Sequence, residues 1–180
     1  IVDSDENEEV RYDNNNASKS LLVRPQYGLE LAIAESSKTV DVNNAAVFEL
    51  NITNMGLQVD NYNISVEVMN PQWDISFPTV IGSVESNTTS DFQVSFTPKD
   101  NVTAAEHLFT IIATSQGNAS RFDSTIVGIT LNQYFGLKLV MPLDFQKVFP
   151  GNTLFYPVKI INEGNGEDTF TLSGRTGAGN

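Results

Sequence analysis

Phe48-Glu49-Leu50-Asn51-Ile52-Thr53 alternates apolar with polar residues, and Tyr62-Asn63-Ile64-Ser65-Val66-Glu67-Val68 does the same. A period of two sends all the apolar side chains of a strand to one face and all the polar ones to the other. Phe92, Val94 and Phe96 repeat the pattern against Asp91, Gln93 and Ser95. Further runs at 27–33, 73–79, 106–115 and 120–131 bring the expected strands to about seven. Asn54-Met55-Gly56, Asn70-Pro71, Pro98-Lys99-Asp100-Asn101 and Gln116-Gly117-Asn118 supply the turn chemistry between them. No helix-period segment of useful length interrupts the series. Short one-sided strands with such turns predict an all-β, immunoglobulin-like β-sandwich, with an up-and-down barrel as the weaker alternative.

The pattern recurs. Sliding the chain by 108 sets Tyr27-Gly28-Leu29-Glu30-Leu31 on Phe135-Gly136-Leu137-Lys138-Leu139, and Ile52, Asn54, Gly56, Asp60 and Tyr62 on Ile160, Asn162, Gly164, Asp168 and Phe170. Between 27–65 and 135–173 there are 10 identities in 39 ungapped pairs. At an offset of 110, Ile1-Val2 falls on Ile111-Ile112, and Arg11-Tyr12-Asp13 on Arg121-Phe122-Asp123. Recurrence on this scale marks a repeat array. The expected organisation is tandem sandwiches: 1–26 as the C-terminal strands of one repeat, 27–134 as a complete repeat, and 135–180 as the N-terminal part of a third. At Gly56 and Gly164 the recurrence predicts a turn with positive φ, beside an Asn that bonds local backbone.

Ten basic against 22 acidic residues give a net charge of −12, which repels a phosphate backbone and an anionic membrane surface alike. Nucleic acid and membrane contact by this segment are therefore not expected. The absence of cysteine removes disulfides, thiolate catalysis and Cys-ligated zinc from consideration. No apolar run approaches the roughly 18 residues of a membrane span. The N-terminal stretch has neither the basic nor the apolar region of a signal peptide.

Phe48-Glu-Leu-Asn-Ile-Thr-Asn54-Met-Gly56, Asp60, Tyr62, Asn70-Pro-Gln-Trp73-Asp-Ile-Ser-Phe77, Phe92-Gln-Val-Ser-Phe-Thr-Pro98 and Phe109-Thr-Ile-Ile-Ala-Thr-Ser115 resemble the NEW3 and CARDB families of prokaryotic immunoglobulin-like repeats. Pro150-Gly151, Asn162-Glu-Gly164 and Asp168-Thr-Phe170 are similar to them again. The resemblance implies a secreted or cell-surface protein of archaea or bacteria. In such proteins these repeats act as spacers or adhesive modules, or accompany secreted glycosidases and peptidases.

Candidate sites are few. Sequons of the form Asn-x-Ser/Thr stand at Asn16, Asn51, Asn63, Asn87, Asn101 and Asn118, with Asn51 and Asn63 at outward strand positions and the last three in expected loops. They are candidate glycosylation sites on an otherwise asparagine-rich surface. Asp3, Asp5, Asn7 and Glu9 alternate like the opening of a calcium loop, but Glu8 and Asn14 stand where its glycine and bidentate glutamate belong. A solvated acidic hairpin tip is the competing reading. Trp73, the single tryptophan, is expected in the core rather than as a sugar-stacking platform. His107, the single histidine, is expected at a strand edge, and every serine-triad or histidine-metal scheme depends on it. Asp41 with Glu49 is the acidic pair nearest to a glycosidase dyad, and nothing places it in a cleft.

No cofactor is expected beyond the candidate calcium, and no catalysis. The expected role is that of a non-catalytic structural spacer in an extracellular or cell-surface protein, of stalk, surface-layer or adhesin type. Its partners would be neighbouring repeats of the same chain, other surface proteins or polysaccharide. The short connection Gln133-Tyr134-Phe135, without glycine or serine, would keep the repeats semi-rigid, with Tyr134 and Phe135 packed between them. The alternatives are a polysaccharide-binding accessory module of a secreted hydrolase, and a filament subunit assembling by strand exchange.

Overall fold

The computed structural model describes residues 24–67, 71–141 and 146–175, and every regular element among them is a strand. In chain order these are β1 (Leu29–Ile33), β2 (Ser37–Val40), β3 (Ala46–Asn54), β4 (Asp60–Glu67), β5 (Trp73–Ser76), β6 (Val80–Val84), β7 (Thr89–Pro98), β8 (Glu106–Ser115), β9 (Phe122–Leu131), β10 (Leu137–Val140) and β11 (Lys159–Asn162).

The first nine strands form two sheets, in the orders β1-β3-β7-β5 and β2-β9-β8-β4-β6. All pairings are antiparallel except that of β2 with β9. This is the arrangement of an immunoglobulin-like sandwich: a four-stranded sheet facing one built on the strand order C-F-G. The first strand is divided. β1 pairs in one sheet, the chain crosses over at Ala34–Ser36, and β2 continues in the other.

Burial follows the alternation. Phe48, Leu50 and Ile52 of β3, Phe92, Val94 and Phe96 of β7, Tyr62 and Ile64 of β4, and Phe109, Ile111 and Ala113 of β8 all line the interior. Each of the larger of these side chains contributes about 1.5–3 kcal/mol through removal from water. Glu49, Asp91, Gln93 and Asn63 point outward. On the outward edge of β1 the Leu31 N–H donates to Asp123 Oδ2 of β9 at 2.8 Å. That bond occupies one of the donors an edge strand would otherwise offer to a pairing chain.

Two strands, β2 and β6, were not expected from the sequence. Both are short edge strands, and neither Ser37-Lys38-Thr39-Val40 nor Val80-Ile81-Gly82-Ser83-Val84 carries a strong alternation. The predicted run 73–79 ends early at Ser76. The chain then changes sheets and returns as β6 at the opposite edge.

Beyond this sandwich, β10 and β11 pair antiparallel in the register Leu137↔Asn162, Lys138↔Ile161, Leu139↔Ile160 and Val140↔Lys159. Each pair is the corresponding β1–β3 pair moved along by 108 residues, Leu29↔Asn54 being the first. The corner after the second strand recurs as well. Asn54 Oδ1 accepts from Gly56 N at 2.8 Å while its Nδ2 donates to Gln58 O at 2.8 Å. Asn162 Oδ1 accepts from Gly164 N at 2.8 Å, and its Nδ2 donates to Gly166 O at 2.8 Å.

The glycine in this corner has a different reason from the one expected. Neither Gly56 nor Gly164 adopts positive φ; among the described glycines only Gly151 does. The constraint is steric. A Cβ on Gly56 would lie 2.6 Å from the Gln26 carbonyl oxygen, and one on Gly164 would lie 2.6 Å from that of Tyr134. Both are backbone atoms that have no room to yield.

Candidate functional site

Each chemically suggestive residue can be followed to its place. The Trp73 ring is 5 % exposed and meets His107 and Phe109 edge-on, at centroid distances of 5.2 and 5.1 Å. A ring so enclosed offers no face to a sugar. His107 places Nε2 2.9 Å from the Thr103 carbonyl oxygen and packs its ring on Trp73, so both its nitrogen and its surface serve the fold. Asp41 accepts from Asn132 Nδ2 at 2.8 Å, whereas Glu49 accepts from Gln93 Nε2 at 2.6 Å. The two carboxylates thus belong to separate surface contacts. Among the described residues no three His, Asp or Glu side chains gather as a metal site. The calcium candidate Asp3, Asp5, Asn7 and Glu9 lies outside the described residues, as does Asn16.

The remaining sequons differ in setting. Asn51 is half-buried in mid-sheet between Ala32 and Asp91. Asn63 is exposed, but its Oδ1 accepts from Gln116 Nε2 at 2.7 Å. Asn87, at φ 60°, and Asn118, whose Oδ1 accepts from Ser120 N at 3.0 Å, are exposed loop residues. Asn101 is exposed at the rim of a shallow cleft between the β7–β8 loop and the corner after β11.

One residue that the repeat singles out has partners the sequence does not reveal. Asp60, 4 % exposed, accepts from Ser115 Oγ at 2.5 Å, Asn61 N at 2.8 Å and Gly117 N at 3.0 Å. Ser115 Oγ in turn accepts from Asn118 N at 3.0 Å. The carboxylate ties the start of β4 to the β8–β9 turn. Beside it Tyr62, fully buried, donates to Gly28 O at 3.3 Å. Burial, and then the Asp60 charge, push its phenol from 10 up to about 12.

This shift has a sign. Below pH 10 both folded and unfolded chains keep the proton, and the contribution is complete. Between pH 10 and 12 the unfolded chain releases it first, so stability falls, by roughly 2–3 kcal/mol in all. Tyr62→Phe is expected to flatten that part of the pH–stability curve in urea titrations. An unchanged slope from pH 10 to 12 would refute the assignment.

The described residues also contain a polar contact between the sandwich and the piece that follows it. Asn165, 8 % exposed, uses all of its polar atoms there. Its carbonyl oxygen accepts from Ala104 N at 2.8 Å, and its Oδ1 from Tyr134 N at 2.8 Å. Its Nδ2 donates to Asn132 O at 3.1 Å, and its backbone N–H to Tyr134 O at 3.4 Å. Gln133 Nε2 adds a bond to Glu167 O at 2.9 Å. The aromatic packing expected here is not what the structure shows. Phe135 is 70 % exposed, and Tyr134 makes its contact through a phenol that donates to Asp100 O at 3.4 Å.

Neither a family model nor a curated protein matches the sequence, so the NEW3 and CARDB resemblance stands on the quoted residues. Among solved structures the chain is similar to a FixG-related protein from Vibrio parahaemolyticus, with 16% identity over 59% of this chain and 96% of that one and a TM-score of 0.46. It is similar to the secreted serine protease VesC from Vibrio cholerae, with 14% identity over 59% of this chain and a TM-score of 0.43, and spans only 23% of the protease. The SrpA adhesin from Streptococcus sanguinis shows 18% identity, coverage of 59% and 58%, and a TM-score of 0.41. At such identities the immunoglobulin-like assignment rests on the strand order itself: the described residues are all-β, and their first nine strands form an immunoglobulin-like sandwich.

Proposed function

We propose that this chain is a non-catalytic stretch of tandem immunoglobulin-like sandwiches serving as a spacer in an extracellular protein. One observation carries the reading: the register of β1 with β3 and that of β10 with β11 differ by 108 residues at every pair, corner included. Exposure supports it. Leu31 and Ile52 are 8 % and 0 % exposed beneath the second sheet, whereas their equivalents Leu139 and Ile160 are 46 % and 38 % exposed. On this reading 135–175 is the opening of another sandwich, whose later strands would cover those side chains. The family resemblance and the exposed loop sequons Asn87, Asn101 and Asn118 support a surface location, and those three are the asparagines a glycosyltransferase would reach.

The spacer reading is tested on residues 27–134 alone. The unit is expected to unfold in one cooperative transition, followed through Trp73 fluorescence, and to bind nothing on a glycan array. Polysaccharide binding at micromolar concentration would replace the spacer reading with that of an accessory module.

A further inference from the structure

We infer that the contact around Asn165 is a fixed joint, in which the β7–β8 loop of one sandwich is the docking surface for the corner of the next, so that hydrogen bonds set the angle between successive units. The inference rests on the tandem-spacer reading and adds to it the surface, the partner and the residue in control.

The docking loop is held rigidly from behind. Val102, fully buried, anchors its centre, and Val102 N donates to Lys99 O at 3.1 Å. Asn43 Nδ2 fastens Asp100 Oδ1 at 2.7 Å, and His107 lies on the Thr103 carbonyl. With the loop so fixed, the Ala104 N–H meets Asn165 of the next unit and the Asp100 carbonyl meets Tyr134 of the connection, at little entropic cost. On the far side, Gly164 lets the Tyr134 carbonyl approach the corner. Asn165 then closes the joint with one bond to the loop, two to Tyr134 and one to Asn132, the last residues before the second unit.

The asparagine at this position is not shared by the preceding corner. In the 108 register Asn165 falls on Leu57, which is 55 % exposed and, among the described residues, bonds through its backbone N–H to Pro25 O and Gln26 O. A corner needs no asparagine at that position to form, because Asn54 already builds it. Asparagine there therefore does something other than build the corner. A buried amide whose oxygen and nitrogen are both engaged, by Tyr134 N and Asn132 O, fixes orientation, since turning it away breaks both bonds.

The lack of cysteine makes the test direct. In the intact 180-residue chain, Ser65→Cys and Lys159→Cys carry spin labels on exposed positions of the two units, and amide exchange is followed by NMR. The expected result is a single narrow distance, with the Tyr134 and Ala104 amides protected. Asn165→Ala is expected to broaden the distance and to speed Tyr134 exchange at least about tenfold, while the Trp73-monitored transition of the sandwich stays in place. Asn165→Asp keeps the Oδ1 acceptor and is expected to keep Tyr134 protected. A broad distance in the unmodified chain, or protection at Tyr134 indifferent to Asn165→Ala, would overturn the joint and leave a flexible spacer standing. Glycan binding by 27–134 would instead remove the spacer reading and leave the joint untouched.

Discussion

Phe96→Ala is expected to cost the sandwich about 3–5 kcal/mol, a large part of the roughly 5–15 kcal/mol by which a domain of this kind is stable. Phe96 sits on β7 opposite Ala46 on one side and Ile75 on the other, and it is fully buried. Its ring meets Phe48 of the same sheet edge-on at 5.9 Å and reaches across to Phe109 of the facing sheet at 4.6 Å. Truncation removes the aromatic bridge between the sheets and leaves a cavity flanked by paired strands. Hydrogen-bonded neighbours on both sides hold the walls apart, so the void has little means to collapse. Urea denaturation read through Trp73 fluorescence measures the loss, with the denaturant slope expected to stay constant. Phe122→Ala, at a ring 64 % exposed, is the control and should shift stability by less than about 0.5 kcal/mol. A loss below about 1 kcal/mol for Phe96→Ala would mean that the sheets are not closed around this ring.

The long strands are legible because their two faces meet different media. Phe48, Leu50 and Ile52 cannot change places with Glu49, Asn51 and Thr53 without exposing the interior, so burial is written into the sequence at a period of two. Edge strands escape that logic. β2 has a sheet neighbour on one side only and carries no such alternation, although its backbone pairs with β9 over Ser37–Val40. Recurrence locates the corner glycines and yet misleads about their cause, because it reveals that a glycine is required but not whether dihedral or clearance requires it.

What the sequence hides is non-local. The repeat picks out Asp60, which matches Asp168, but not its partners, and only the fold brings Ser115 and Gly117 to it, 55 and 57 residues further along the chain. Asn165 is hidden by the repeat itself, since matching draws attention to identities such as Asn54 with Asn162. The signal is a mismatch: within a recurring corner, the exchange of Leu57 for Asn165 is the change from apolar to polar that a junction would use. Phe135 misleads for a related reason. An aromatic in a short connection looks like packing material, yet the connection closes through main-chain and amide bonds that leave this ring in solvent.

Asp60→Ala is expected to cost about 2–4 kcal/mol, the second large effect, although it deletes no apolar surface. The carboxylate serves three donors at once, so truncation orphans the Asn61 and Gly117 amides and the Ser115 hydroxyl. Bonds to a charged acceptor contribute roughly 1.5–3 kcal/mol, and the buried Ser115 hydroxyl, left unpaired, forfeits its hydration as well, whereas the part-buried amides regain some of theirs. Asp60→Asn separates charge from connectivity. Its Oδ1 still accepts from both amides, and its NH₂ meets a hydroxyl oxygen able to accept, so a loss of only about 1 kcal/mol is expected. The phenol of Tyr62 supplies an independent readout. Removing the neighbouring charge lowers its pKa from about 12, while burial, the larger cause, keeps it above 10. Denaturation of both variants, amide exchange at Gly117 and ultraviolet titration of the tyrosines check the set together. Equal stability of Asp60→Ala and the unmodified protein would show that the β8–β9 turn is held without this carboxylate.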